Sequence, residues 1–447
     1  MQPREFANSI CDALARSGHQ AFLAGGCVRD IVLKREPADY DVATDATPDE
    51  VLRLFDGAIG VGAQFGVVLV PRDDFKVEIA TFRSDLGYSD GRHPDRVVYS
   101  RSPEEDVQRR DFTINGLLMK PATGEVLDYV NGLSDLRSGI IRTIGPADRR
   151  FREDKLRMLR AVRFAARFGY EIERGTFLAI RERAGELGLV SAERIRDELT
   201  KLLTEGSART GFEWLDRCSL LPVVLPEIAA MKGVEQPPDY HPEGDVWTHT
   251  LLMLERMPAG CSPTLAWGVL LHDVGKPATF RSARETGDRI RFDGHVEVGM
   301  AMARNLLGRL KFSNEDTEQI LSLVEHHMRF KDAQQMRPAT LKRFVRLPSF
   351  GEHLTLHRLD CLASHGNLGA YEFVSEFVAT TPPEAIRPAR LLTGHDLLGL
   401  GYGPGPQLGK ILAAVEEAQL DGELPDRDRA ISWVVKRFGR GKTATGA

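Results

Sequence analysis

A change in hydrophobic periodicity near Arg150 limits the folds that this chain of 447 residues can adopt. Before that point helical and extended patterns alternate, whereas from Arg150 to about residue 335 apolar and charged residues recur at intervals of three and four. The chain is also longer than one hydrophobic core normally organises. We therefore predict an α+β protein in which a small mixed head precedes a mainly α-helical neck and body.

The first 135 residues contain the strand-like segments. Short runs rich in β-branched and aromatic residues predict strands there, and apolar spacing of three to four residues predicts helices. The predicted elements are a helix at about 4–17, strands at Ala21–Ala24, Tyr40–Val42, Gly66–Val70 and Lys76–Phe82, and a helix at Cys27–Leu33. They indicate a small α/β or α+β head.

Charge is unevenly distributed along the chain. The formal net charge of −5 argues against bulk attraction to nucleic acid or anionic membranes, yet residues 137–167 carry ten Lys or Arg against three Asp or Glu. We therefore expect a localised electropositive cleft. The five scattered cysteines include no CxxC pair, and no window approaches 18 uninterrupted apolar residues, so we predict a cytoplasmic protein without a membrane partner.

The head contains a candidate phosphate and metal site. Gly25-Gly26 joins a strand to a helix, which leaves backbone amides free to bind an anion, and Arg29 adds a forked donor. Asp39 and Asp41, at i and i+2 of a strand, share one face and suit Mg²⁺. Glu78 has apolar neighbours on both sides, so we predict that it is a third metal ligand or a base.

A second group of residues follows in the predicted neck. Asp154, Arg157, Arg160, Arg163 and Arg167 recur at threes and fours and would share one helix face. One aspartate cannot form ion pairs with all four arginines, so most of the positive charge on that face is not neutralised within it. A fixed Asp–Arg pair offers an acceptor beside a donor, which complements cytosine and adenine but not guanine or uracil.

Histidines concentrate in the third part of the chain, between His241 and His365. Imidazole and carboxylate groups are good ligands for divalent metals, and helices can bring them together from distant positions. The candidate ligands in this region are His249, His272, Asp273, His295, His326 and Asp360.

These motifs resemble the tRNA nucleotidyltransferase (CCA-adding enzyme) and bacterial poly(A) polymerase family, class II of the DNA polymerase beta-type nucleotidyltransferases. The matching segments are Gly25-Gly26-x-Val28-Arg29-Asp30 with Asp39-x-Asp41, then Arg109 to Asn115, then Asp128 to Leu136. The resemblance implies Mg²⁺ in the head, base selection by Asp154 and Arg157, nucleotide contact by Arg110, and triphosphate contacts by Arg160 and Arg163. Residues 82–95 resemble the family's flexible loop.

The histidine-rich region resembles the HD phosphohydrolase superfamily. That resemblance implies one metal bound by His249, His272, Asp273 and Asp360, and a second supported by His295 and His326. The metal's identity and the substrate of this region stay open. The expected segments are a head at 1–140, a neck at 141–205, a linker at 206–240, an HD domain at 241–370 and a helical tail at 371–447.

The resemblance implies template-independent addition of the 3′-terminal CCA to tRNA from CTP and ATP. Three alternatives share parts of the pattern: a poly(A) polymerase, a partial enzyme that adds only CC or only A, and a metal phosphohydrolase whose head only binds nucleotide or RNA. The chain ends soon after Lys436-Arg437, without the long basic extension of bacterial poly(A) polymerases. We therefore expect CCA addition.

Overall fold

The computed structural model describes residues 1–62, 66–73, 75–86 and 96–440. The chain divides into two compact units, each with its own core. The first contains Met1–Ala230, Met257–Pro263 and Leu306–Phe312, and the second contains Met231–Arg256, Thr264–Asn305 and Ser313–Ala447. The α+β class predicted from the sequence is confirmed, because strands concentrate at the N-terminal end and helices form nearly all the remainder.

The first unit begins with a seven-stranded sheet in the order β3-β4-β5-β2-β1-β8-β9. Neighbouring strands are antiparallel except for β2 and β5, which are parallel. Its strands are β1 (Ala21–Ala24), β2 (Tyr40–Thr44), β3 (Ile59–Gly62), β4 (Val67–Arg72), β5 (Phe75–Thr81), β8 (Leu117–Met119) and β9 (Val126–Asp128). Two small sheets pair β6 (Arg83–Leu86) with β7 (Arg96–Tyr99), and β10 (Ile140–Ile141) with β11 (Glu171–Ile172).

Helices pack against this sheet and continue into the neck. The first helix buries Phe6, Ile10 and Leu14, which recur at helical spacing and so form one apolar face. The helices of the first unit are α1 (Pro3–Arg16), α2 (Gly26–Val32), α3 (Pro48–Leu54), α4 (Pro103–Gln108), α5 (Gly132–Ser138), α6 (Ala147–Glu153), α7 (Arg157–Phe168), α8 (Arg174–Arg183), α9 (Ala192–Thr204), α10 (Ala208–Arg217), α11 (Leu221–Val224) and α12 (Pro226–Ala229).

The later part of the chain is helical. Its α-helices are α13 (Val246–Arg256), α14 (Pro263–Leu271), α15 (Lys276–Thr279), α16 (Ala283–Thr286), α17 (His295–Arg309), α18 (Asn314–His326), α19 (Pro338–Phe344), α20 (Phe350–Ala363), α21 (Gly369–Thr380), α22 (Pro383–Ile386), α23 (Gly394–Gly399), α24 (Pro406–Leu420) and α25 (Arg427–Phe438). Short 3₁₀ helices lie at Thr113–Asn115, Ala184–Leu189 and His327–Gln335. Over the described ranges, every helix is too short or too polar to cross a membrane.

The predicted elements of the head agree with the structure to within about two residues at each end. The predicted flexible loop at 82–95 is only partly described: residues 83–86 form β6, and residues 87–95 lie outside the described residues. The five-segment division of the chain stays a prediction.

Candidate functional site

Three carboxylates lie on the paired strands β2 and β5 and at the residue directly before β2. Asp41 stands opposite Glu78 in the parallel register of these strands, and Asp39 precedes β2 by one residue. Burial raises the pKa of Asp41 to about 6, and the negative charges of Glu78 and Asp39 add to the shift. A divalent cation would relieve this repulsion, and carboxylate oxygens are the ligands that Mg²⁺ prefers. The residues therefore fit the predicted metal.

Glu78 differs from expectation in its surroundings. Its strand alternates, so Val77 and Ile79 are buried while Glu78 is exposed on the other face. The apolar neighbours therefore say nothing about desolvation of this acid, and that part of the sequence argument was wrong. Its place beside Asp41 is what makes Glu78 a candidate ligand.

The Gly25-Gly26 turn lies beside Arg110. Gly25 has φ 69° and ψ −125°, a conformation that favours glycine, and α2 begins at the next residue. A Cβ on Gly25 would lie 3.0 Å from Nη1 of Arg110. The same guanidinium donates to Asp106 at 2.9 Å and partly offsets the raised pKa of Asp41. The structure thus brings the turn, Arg110 and the carboxylates into one region.

Arg29 does not extend into this region as an open donor. Its Nε and Nη2 donate to the two oxygens of Asp30 at 2.8 and 3.0 Å, and Nη1 donates to Oδ1 of Asn115 at 2.6 Å. The side chain is buried and lies over the Phe168 ring. In this structure the Arg29 guanidinium binds Asp30 and Asn115, which differs from the phosphate contact that we predicted.

Asp154 and Arg157 are adjacent but bind other partners. Asp154 directly follows α6 and accepts from Nη2 of Arg194 at 2.8 Å, whereas Arg157 begins α7 and donates to Glu153 at 2.9 Å. The two side chains are therefore not bonded to each other, and their role in base selection stays a prediction. Both side chains keep some exposure, 18% and 11%, so an acceptor and a donor are still presented at the junction of the two helices.

The other arginines of α7 are paired with acids from distant segments. Arg160 donates to Asp111 at 2.5 Å, and Arg163, which is buried, donates to Glu198 at 2.7 Å and Glu205 at 3.2 Å. Although burial alone would raise the pKa of Asp111, Arg160 and a hydrogen bond from Asn115 hold it at about 2. The expected unpaired basic face is thus wrong, because Glu198 and Glu205 follow Arg163 by 35 and 42 residues and no local charge count includes them.

Among its described residues, the second unit brings together three groups of side chains that could hold a metal ion, and two of them contain more than one of the predicted ligands. His249 on α13, His272 after α14 and Asp360 on α20 offer ligand atoms within 4.8 Å of one another. Nε2 of His249 lies 3.2 Å from Asp360, and Nε2 of His272 lies 3.1 Å from Asp273. Both nitrogens are buried without a well-aligned hydrogen bond. A metal ion would satisfy them, so this group fits the predicted divalent cation.

The other group contains Asp273, His295 and His327. Nε2 of His295 lies 3.4 Å from Nε2 of His327, and these nitrogens lie 3.8 and 3.7 Å from Oδ1 of Asp273. The predicted ligand His326 is wrong. Its Nδ1 contacts the carbonyl oxygen of Ser322, and its ring lies beside His353. Because successive helical residues point about 100° apart, only one member of the His326-His327 doublet can face the cluster.

A cavity of about 630 Å³ opens onto this centre. Asp273, His295, His327 and Asp360 line one part of it, and the cations Lys276, Arg289, Arg291 and Lys331 line another. Nζ of Lys276 also binds Asp273 at 2.7 Å and Gln236 at 2.7 Å. Candidate ligands and positive side chains thus face one space, which suits an anionic substrate.

Sequence reasoning missed several of these residues. His327 was recognisable as half of a doublet but could not be chosen without knowing where α18 ends. Arg194 and Glu198 carried no local signal, since their partners Asp154 and Arg163 lie 35 or more residues earlier. Such long-range ion pairs are visible only in the folded chain.

Three segments match known families. Residues 21–142 match the Poly A polymerase head domain, residues 169–232 match the family described as a probable RNA and SrmB-binding site of polymerase A, and residues 246–356 match the HD domain. Together with the carboxylates beside the glycine turn, they define a nucleotidyltransferase of polymerase type that carries an HD domain.

Full-length relatives identify the family. A CCA-adding enzyme from Lactiplantibacillus plantarum is 32% identical over 435 residues, which cover 96% of this chain and 95% of the relative. The Bacillus stearothermophilus CCA-adding enzyme in complex with CTP matches with a TM-score of 0.74 at 25% identity over 98% of each chain. The Thermotoga maritima CCA-adding enzyme complexed with tRNA shares the fold, with a TM-score of 0.58 at 18% identity over 98% of this chain and 96% of that one. The chain belongs to the CCA-adding enzyme family and is a tRNA nucleotidyltransferase.

Proposed function

We propose that this enzyme uses Asp39, Asp41 and Glu78 to build the 3′-terminal CCA of tRNA from CTP and ATP. The observation that carries the proposal is the meeting of three carboxylates with Arg110 and the glycine turn. The tRNA 3′-oxygen attacks the α-phosphorus, the bond to the β-phosphate breaks, and pyrophosphate leaves. Mg²⁺ held by the carboxylates would supply charge neutralisation and activate the attacking hydroxyl.

The chain's own residues position the substrates. Asp41 has a pKa of about 6 and is therefore mainly ionised at neutral pH, as a metal ligand must be. The amides of the glycine turn and the Arg110 guanidinium bind triphosphate oxygens. Arg160 can join them only by exchanging its hydrogen bonds to Asp111 for phosphate oxygens.

Selection of C and A is proposed to come from Asp154 and Arg157. The free acceptor capacity of Asp154 takes the amino group of either base, and Arg157 donates to the neighbouring ring nitrogen. Arg194 orients Asp154 by binding its second oxygen. The Asp154→Ala enzyme should therefore remain folded and incorporate GTP or UTP. Continued exclusion of both nucleotides would contradict the proposed role of Asp154 in base selection.

One assay tests the proposed reaction against its alternatives. A tRNA ending before CCA and a tRNA ending in CC are incubated with CTP, ATP or both. Addition that proceeds in order and stops at CCA is expected. A long A tail would instead identify a poly(A) polymerase, and addition of only CC or only A would identify a partial enzyme.

We further propose that the second unit is a metal-dependent phosphohydrolase. The observation that favours it is a cavity lined both by cations and by the candidate ligands Asp273, His295, His327 and Asp360. His272→Ala should abolish hydrolysis of phosphomonoesters or 2′,3′-cyclic phosphates and spare nucleotide addition. No hydrolysis by the metal-loaded enzyme would refute the activity. We also infer a cytoplasmic location, which the free thiols of the five cysteines fit.

A further inference from the structure

Glu243 lies next to the proposed HD metal centre, in the segment that leads into α13. Its Oε1 is 2.7 Å from Nδ1 of His249 and 2.8 Å from Nδ1 of His241, and its side chain is 7% exposed. Asp245 fixes this segment, because its two oxygens accept from the backbone N–H groups of Thr248 and Gly233 at 2.8 and 2.6 Å. The carboxylate is therefore buried and held in place by the fold.

This contact determines which nitrogen of His249 is available. An ionised carboxylate can only accept hydrogen bonds, so Nδ1 of His249 must carry the proton. When the ring is neutral, as it is when it binds a metal ion, the unprotonated lone pair therefore lies on Nε2, which is buried and faces Asp360 at 3.2 Å. Carboxylates behind metal-binding histidines fix the ring orientation and increase its basicity as a ligand.

We propose that Glu243 is a positioning residue of the HD metal centre, which holds His249 so that its Nε2 binds a divalent cation. The proposal rests on the metal centre proposed above. The same geometry also defines a rival role, because His241, Glu243 and His249 together offer ligand atoms within 4.8 Å of one another. In that role Glu243 would itself bind an ion, so the number of bound metals separates the two.

The test measures Co²⁺ affinity by competition with a chromophoric chelator, together with bound metal per chain at saturation. Glu243→Leu keeps a similar volume but removes both acceptors, and Glu243→Gln keeps one carbonyl oxygen without the charge. We expect affinity to fall roughly 10–100-fold in the Leu variant and by less in the Gln variant, with unchanged stoichiometry at saturation. Glu235→Leu, at an exposed glutamate of the same unit, is the matched control and should bind as the wild type does.

The outcomes separate the proposal from its rivals. Wild-type affinity in a folded Glu243→Leu protein would overturn it, because a purely packing role predicts that result. Loss of one bound metal per chain would also overturn it and make Glu243 a ligand. If Glu243→Leu does not fold by circular dichroism, Glu243→Gln decides, since wild-type affinity there refutes the role of the charge. Failure of the wild type to bind Co²⁺ would instead refute the metal centre itself.

Discussion

Replacing Asp41 with Asn is expected to stabilise the head while abolishing nucleotide addition. Asp41 is a partly buried carboxylate that faces Glu78 across two parallel strands, with Asp39 two residues away. Folding therefore places its negative charge in a less polar setting beside two like charges. The substitution keeps the shape of the side chain and removes that charge.

The magnitude follows from the shift in pKa from 3.8 to about 6. Each unit corresponds to about 1.4 kcal/mol, so ionised Asp41 destabilises the folded state by up to about 3 kcal/mol. The raised pKa also fixes the sign of the pH dependence. The raised pKa of Asp41 contributes its full stabilisation of the folded state below pH 3.8, and this contribution is lost as the pH rises to about 6. Asp41→Asn should remove that slope.

The assay is thermal unfolding of both proteins with EDTA present, at several pH values on either side of this window. The variant should melt higher than the wild type at neutral pH, and the difference should shrink as the pH falls below 6. Asp39→Asn removes one neighbouring charge and should give a smaller increase. An Asp41→Asn protein that is less stable than the wild type at neutral pH would refute the reasoning.

The HD centre, the arginine network and RNA binding each give a further prediction. His327→Ala should weaken Co²⁺ binding at least roughly tenfold in a chelator competition, whereas His326→Ala should leave it unchanged; equal effects would contradict the assignment. Glu198→Gln should cost about 3 kcal/mol in chemical unfolding because Arg163 stays buried and loses one of the two acids that it binds, and an unchanged midpoint would show that the pair does not stabilise the fold. Affinity for tRNA should fall as salt is raised, and a flat salt dependence would argue against phosphate contacts.

The strands of the head were predictable because their sequence signals are local. Runs such as Phe75–Thr81 combine β-branched and aromatic residues with period-two burial, and Gly25-Gly26 marks a turn that only a small residue tolerates. The same locality explains why Asp39, Asp41 and Glu78 could be proposed together. Two carboxylates share a face by the geometry of one strand, and the third lies on a neighbouring strand.

The charge pattern of the neck could not be predicted in the same way. A count over residues 137–167 suggested unpaired arginines, yet Arg160 and Arg163 bind three acids from two other segments. Ion pairs between residues far apart in the sequence follow from tertiary packing, which periodicity does not encode. The local charge of +7 therefore does not by itself indicate an open electropositive surface.

The histidine cluster was predictable only in part. Its composition predicted a metal centre, and His249, His272, Asp273, His295 and Asp360 are all brought to it. The error at His326 arose at a helix end, where a boundary shifted by one residue turns a side chain by about 100°. Sequence patterns identify such centres well but assign adjacent residues poorly.

The buried pair of Arg163 and Glu198 also restricts how the enzyme can be redesigned. Reversing either charge alone would place like charges together away from water, and exchanging both would still set a carboxylate at position 163 against Glu205, so neither position is a suitable target. Libraries that test the proposed role of Asp154 and Arg157 in nucleotide choice can change these side chains at a lower cost in stability, because both retain contact with solvent. Redesign of nucleotide choice is therefore limited to positions outside the buried network of Arg163 and Glu198.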